Sequence, residues 1–142
     1  MMAARLNTIA GHVNPGLREA PNHMTTQRRS PITSHVLDVA LGKPARGVPL
    51  ELAIYSDNSW ITVGRGVTDQ DGRCGVLMSE GETLSASTYR LHFDTKTYFL
   101  SQNIAKPFYP YVEIVFEVQN PLEHYHVPLL LAPFSYSTYR GS

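Results

Sequence analysis

From Ser34 onward, apolar and polar residues alternate in short runs separated by turn-forming residues. Alternation with a period of two puts apolar side chains on one face of an extended segment and polar ones on the other. The clearest run is YVEIVFEV, in which Val112, Ile114, Phe116 and Val118 share one face and Glu113 and Glu117 lie on the other. SHVLDVALG reads the same way, with His35, Leu37 and Val39 on one face and Val36 and Asp38 opposite. GKPARG follows as a loop, VPLELAIYS as a second strand, DNS as its turn and WITVGRGVTD as a third strand. Asp71-Gly72 is a hairpin turn signal, which predicts RCGVL as a short return strand. GETLSAS is a loop before the strand TYRLHFDT. KTYFLSQNI does not alternate, and the four-residue spacing of Leu100 and Ile104 predicts a short helix there. HYHVPLLLAP and FSYSTYR complete the strands. Many short strands with Gly, Pro, Asn and Asp between them predict an all-β sandwich.

Residues 1–30 break the pattern. They show no sustained helix or strand period and hold Arg5, Arg18, Arg28 and Arg29 against Glu19 alone, a balance of +3. With Gly11, Pro15, Gly16 and Pro21 also present, the stretch reads as a flexible leader. The chain then divides into a leader, 1–30, and one domain, 31–142. At 142 residues a single domain is the default, and a domain near that size buries about 68–70% of its unfolded surface. Formal net charge is zero, which argues against a nucleic-acid or membrane-surface role driven by bulk charge. No apolar run approaches the roughly 20 residues of a membrane-spanning helix. Cys74 is the single cysteine, so no internal disulfide can form and a reducing compartment is expected.

The candidate chemistry gathers near the end of the chain. His124 and His126 are one residue apart, so a strand would point both imidazoles to one face. Such a pair could be surface polarity, part of a catalytic site, or two metal ligands if a third joined them, for which His35 is the candidate. His12, His23 and His92 have no comparable company. Arg73 follows a turn and by itself reads as a solvated side chain. Cys74 has no neighbour in sequence that marks it as activated and reads as a small buried residue. Ser34, His35 and Asp38 are too close in one strand for triad geometry. The terminal YRGS follows directly on strand-forming residues. An ordered end would hold Arg140 and the Ser142 carboxylate in fixed places, and that order costs entropy which some contact must offset.

SHVLDVALGKPARGVPLEL, TDQDGR and HYHVPLLLAPFSYSTYRGS, with the spacing between them, resemble the transthyretin-related 5-hydroxyisourate hydrolases. The resemblance covers Ser34 to Ser142. It implies a transthyretin-like two-sheet sandwich of about eight strands with one short helix. It also implies a homotetramer, a dimer of dimers, with active sites at the dimer–dimer interface. The residues matching the family's functional positions are His35, Arg73, His126 and the terminal Tyr139-Arg140-Gly141-Ser142. In that reading His35, Arg73 and His126 are catalytic, and Arg73 with the terminal tetrapeptide binds substrate. The implied reaction is hydrolysis of 5-hydroxyisourate to 2-oxo-4-hydroxy-4-carboxy-5-ureidoimidazoline, in urate degradation to allantoin. It implies no cofactor and no metal, and leaves open which histidine is base and which is acid. Two other classes compete: a transthyretin-like carrier of small aromatic ligands, and a zinc hydrolase built on His35, His124 and His126. In the leader, Arg5-Leu6, five residues, then His12-Val13 resembles the N-terminal peroxisomal import nonapeptide. That implies a peroxisomal import receptor as partner and the peroxisome as destination, with a mitochondrial presequence or a cytoplasmic protein as alternatives.

Overall fold

β1 (Ile32–Asp38) alternates strictly between buried and half-buried residues, with Ile32, Ser34, Val36 and Asp38 inside. It starts two residues before the expected run. The computed structural model describes residues 30–79 and 82–142. The expected leader, except Ser30, and its import signal lie outside the described residues. Ser30 is buried and its hydroxyl donates to the Ile32 carbonyl at 2.9 Å.

The order after β1 is β2 (Lys43–Pro44), β3 (Pro49–Ser56), β4 (Ser59–Val67), β5 (Arg73–Cys74), β6 (Ser87–Phe93), α1 (Thr95–Ser101), β7 (Val112–Val118), β8 (Tyr125–Ala132) and β9 (Ser135–Thr138). One sheet runs β4-β3-β6-β7 and the other β2-β1-β8-β9, with β5 also paired to β1. Among the described residues this is a two-sheet sandwich with one short helix, as expected. Ile32, Val36, Leu52, Leu91, Phe93, Val112, Leu129 and Leu131 fill the space between the sheets. Each fully buried side chain of this kind stabilises by about 1.5–3 kcal/mol before entropy is counted. β7 shows the predicted face, with Val112, Ile114 and Val118 buried and Phe116 partly so. DNS turns as expected: Asp57 and Asn58 both take positive φ (50° and 61°), as a two-residue hairpin requires.

The Asp71-Gly72 hairpin is not formed as predicted. β4 belongs to one sheet, whereas β5 pairs with β1 of the other, Ser34 opposite Cys74 and His35 opposite Arg73. The segment is a crossing between sheets. Buried Thr68 pins its start: the hydroxyl donates to the Ala45 carbonyl (2.7 Å) and accepts from the Val48 amide (2.9 Å). The Asp69 carboxylate closes its tip by accepting from the amides of Asp71 (2.8 Å) and Arg73 (3.0 Å). Gly72 has φ 77°, and its carbonyl accepts from the Val36 amide at 2.7 Å, so the tip is stitched to β1.

At seven residues α1 is too short to hold without tertiary support. Asp94 caps it by accepting from the Thr97 amide. Tyr98 and Phe99 are buried, and the Tyr98 hydroxyl donates to Asp38 Oδ2 at 2.7 Å. Burial first, and then the bond to that carboxylate, push the phenol well above its usual range.

Candidate active site

Three strand registers bring the functional side chains together. β5 sets Arg73 opposite His35. The parallel pair β1–β8 sets Thr33 opposite His126. An isolated bridge sets His126 opposite Gly141. Facing residues of paired strands lie on the same side of a sheet, and Thr33 and His35 are two positions apart on one strand, hence on one face. Arg73, His35, Thr33, His126 and Gly141 therefore form a row across one face of the β2-β1-β8-β9 sheet. The row lines a cavity of about 520 Å³, with His124, Tyr139 and Ser142 beside it and Ser34, Cys74 and Gly75 completing the lining.

The two candidate catalytic imidazoles are held differently. His35 Nε2 lies 2.9 Å from the Asp71 carbonyl oxygen. A carbonyl only accepts, so Nε2 carries the hydrogen, and a neutral His35 has its lone pair on Nδ1. His126 Nδ1 lies 2.8 Å from Thr33 Oγ1, and the same oxygen is 3.0 Å from His124 Nε2. Asp69 sits below the usual carboxylate range, chiefly because the Arg73 and Asp71 amides bond to it and further because of the Arg73 and His35 charges. Burial pushes the Cys74 thiol up, which keeps it protonated and suits a packing role.

The terminal segment folds back onto β8. Pairs from Leu129–Thr138 to Ala132–Ser135 join β9 to β8, and Gly141 falls opposite His126, where the same register would place it. The Gly141 amide donates to the His126 carbonyl at 2.8 Å. Strand alternation then divides the tetrapeptide. Tyr139, Gly141 and Ser142 line the cavity, while Arg140 does not. Of the four terminal residues that the resemblance assigns to substrate binding, Arg140 is thus the one outside the cavity lining. Its guanidinium donates to Glu123 Oε1 at 2.7 Å and lies 4.5 Å from the centre of the Tyr125 ring. The Arg140 bond, and then that of Asn120, hold the Glu123 carboxyl below its ordinary value.

Among the described residues no group of three His, Cys, Asp or Glu side chains converges as metal ligands, so His35, His124 and His126 do not form a shared ligand set. Sequence reasoning missed Thr33. A threonine in a strand is ordinary, and only the register with β8 gives it a histidine on either side.

A sequence model described as the HIUase/Transthyretin family matches residues 32–141. The chain is 44% identical over 115 residues to the 5-hydroxyisourate hydrolase of Mus musculus, covering 80% of this chain and 96% of that protein. It is 45% identical over 152 residues to the uric acid degradation bifunctional protein TTL of Arabidopsis thaliana, covering 97% of this chain but spanning only 44% of that longer protein. Two solved structures share the fold. The 5-hydroxyisourate hydrolase of Klebsiella pneumoniae matches with TM-score 0.67 and 32% identity over 78% of this chain and 98% of its own. Sea bream transthyretin in complex with thyroxine matches with TM-score 0.72 and 36% identity, over 79% of this chain and 95% of its own. The 5-hydroxyisourate hydrolase and the thyroxine-bound transthyretin thus fit the backbone about equally well, and the fold by itself does not separate them.

Proposed function

The chain belongs to the HIUase/Transthyretin family, and on that premise we propose that it hydrolyses 5-hydroxyisourate to 2-oxo-4-hydroxy-4-carboxy-5-ureidoimidazoline in the degradation of urate. The observation that carries this reading is the row of Arg73, His35 and His126 across one sheet face, closed by the terminal Gly141 and Ser142 in one cavity. Opening the substrate ring requires three things: a base for water, a proton for the departing ring nitrogen, and a cation for the oxygen that gains charge. His126 serves as the base. Its Nδ1 is engaged by Thr33, so a reacting atom meets it through Nε2. His35, with its Nε2 hydrogen committed to Asp71, presents the Nδ1 lone pair and orients the water. Arg73 offers a planar fork to the substrate's oxygens, while Tyr139, Gly141 and Ser142 form the wall against which the ring lies.

We also propose a homotetramer. Among the described residues β7 and β9 end their sheets, and an unpaired edge is a ready template for pairing with another copy. The solution mass tests this. For the leader we propose peroxisomal import through Arg5-Leu6 and His12-Val13. Residues 1–30 fused to a fluorescent protein are expected in peroxisomes, and Arg5→Ala in the cytosol; mitochondrial or cytosolic fluorescence with the native leader overturns it. The activity is tested by the ultraviolet decay of freshly made 5-hydroxyisourate. The protein, after EDTA and dialysis, is expected to hasten that decay and His126→Asn to remove most of the gain. Equal decay with and without protein overturns the hydrolase reading and leaves the carrier.

A further inference from the structure

The Thr33 hydroxyl stands between two imidazoles, 2.8 Å from Nδ1 of His126 and 3.0 Å from Nε2 of His124. A hydroxyl has one hydrogen to give and lone pairs to accept with. If it gives its hydrogen to His126 Nδ1, His124 must donate Nε2–H to the Thr33 oxygen. If it gives its hydrogen to His124 Nε2, His126 must donate Nδ1–H. The first arrangement puts the His126 proton on Nε2, where it can be donated to the cavity. The second leaves the Nε2 lone pair, where a proton can be accepted.

We propose that Thr33 couples the tautomers of His124 and His126, so that His126 is reset between base and acid within one turnover. The proposal rests on the hydrolase reading above and deepens it. Before reaction His126 holds Nδ1–H, Thr33 donates to His124 Nε2, and His124 is neutral with its hydrogen on Nδ1. As the water oxygen bonds to the ring acyl carbon, Nε2 of His126 takes the water proton. Nδ1–H passes to Thr33 Oγ1, and the Thr33 hydrogen passes to His124 Nε2. His126 is then neutral with Nε2–H, and the positive charge rests on His124. When the carbon–nitrogen bond breaks, Nε2–H goes to the departing nitrogen. Thr33 returns a proton to His126 Nδ1 and His124 returns one to Thr33, which restores the starting state. One imidazole thus does both proton transfers, and His35, fixed by Asp71, need not change tautomer. Thr33 acts through His126, as a positioning residue.

The test uses the full chain labelled with ¹⁵N-histidine, free of substrate, at a pH where both rings are neutral. The nitrogen shifts are expected to show His126 Nδ1 and His124 Nε2 complementary, one carrying the proton that the other lacks, in wild type and Thr33→Ser but not in the near-isosteric Thr33→Val. Both nitrogens protonated or both bare in wild type, or no change in Thr33→Val, overturns the coupling. This holds whether or not 5-hydroxyisourate proves to be the substrate. With that substrate, Thr33→Val is expected to lower kcat by about 100-fold, the scale of general acid–base catalysis, with KM little changed and Thr33→Ser restoring most of the rate. A Thr33→Val enzyme with wild-type kcat, or a Thr33→Ser enzyme as slow as Thr33→Val, overturns it as well.

Discussion

Gly141 lies so close over His126 that a methyl group on its Cα would stand 2.7 Å from Cδ2 of the imidazole. Carbon atoms in contact sit near 3.5–4.0 Å. The ring cannot retreat freely, because Nδ1 is bonded to Thr33, and the backbone cannot either, because the Gly141 amide is bonded to the His126 carbonyl. Gly141→Ala must therefore lift the tail or turn the ring. Either displacement is on the order of 1 Å, which can cost about 100-fold in rate. Activity is expected to fall on that scale while the thermal melt stays near wild type, since the apolar core precedes these residues. An active Gly141→Ala enzyme would show that the ring and tail have more room than this packing allows.

Asp69 organises the other end of the row. Its carboxylate bonds the Asp71 and Arg73 amides, and the same turn supplies the carbonyl that holds His35. Its folded pKa is depressed below 3.8, so its stabilising effect is present above that value and disappears as pH falls through the lower folded one. Asp69→Asn keeps an acceptor but does not titrate there. The stability advantage of wild type over Asp69→Asn should be constant near neutral pH and shrink below about pH 4. Denaturation of the two proteins from pH 7 to pH 2.5 checks this, and an advantage that grows in acid contradicts it.

β7 was readable because its signal is local, period-two alternation with one wet face; the missing alternation in KTYFLSQNI likewise marked α1, although the helix takes in Thr95 from the expected strand, leaves Leu100 exposed and ends before Ile104. The destination of β5 was not readable. Asp71-Gly72 announces a turn, but nothing within ten residues says that Arg73–Cys74 will pair with β1. The site residues divide the same way. His35, Arg73 and His126 stand out by type, whereas Thr33 gains its place only from a parallel register linking positions 93 apart. Arg140 is a different case. Once the tail is read as strand, alternation already turns it away from the face that carries Gly141, and only the family resemblance suggested otherwise.

The Tyr98–Asp38 bond fixes α1 to β1, and neither residue lines the cavity. Asp38 is buried, and its other oxygen accepts from the amides of Ala40 and Leu41 at 3.1 and 3.0 Å. Tyr98→Phe leaves Oδ2 without its donor, a loss of about 1–3 kcal/mol. For a domain of this size that is a fall in Tm of several degrees. Urea denaturation should show it as a lower midpoint at unchanged slope, with kcat and KM at 25 °C as in wild type. An unchanged midpoint would mean that another donor reaches Asp38.

Arg140 gives the sharpest division between substrate binding and anchoring. Its guanidinium is bonded to Glu123 and lies over Tyr125, and the direct neighbours in the tail, Tyr139 and Gly141, are the ones in the cavity. If Arg140 is a tether, removing either partner frees the same segment. Arg140→Ala and Glu123→Ala should then both lower activity, Glu123→Ala the less because the Tyr125 contact remains, and the double variant should be no slower than Arg140→Ala alone, as expected for two residues acting as one pair. Both should be milder than deletion of Tyr139 to Ser142, which removes the cavity wall itself. If Arg140 instead bound substrate, Arg140→Ala would raise KM while Glu123→Ala left it unchanged. The acid limb has a fixed sign too. Arg140 holds the Glu123 carboxyl below 4.5, so the tether persists in mild acid and is lost only as pH falls through that lower value. A C-terminal extension should resemble the deletion, because it adds bulk beside Ser142 in the cavity lining. Steady-state kinetics of the two single variants, the double variant, the truncation and the tagged protein, each with its melt and solution mass, separate these outcomes. A truncated protein that keeps its mass and its full rate would take the tail out of the site altogether.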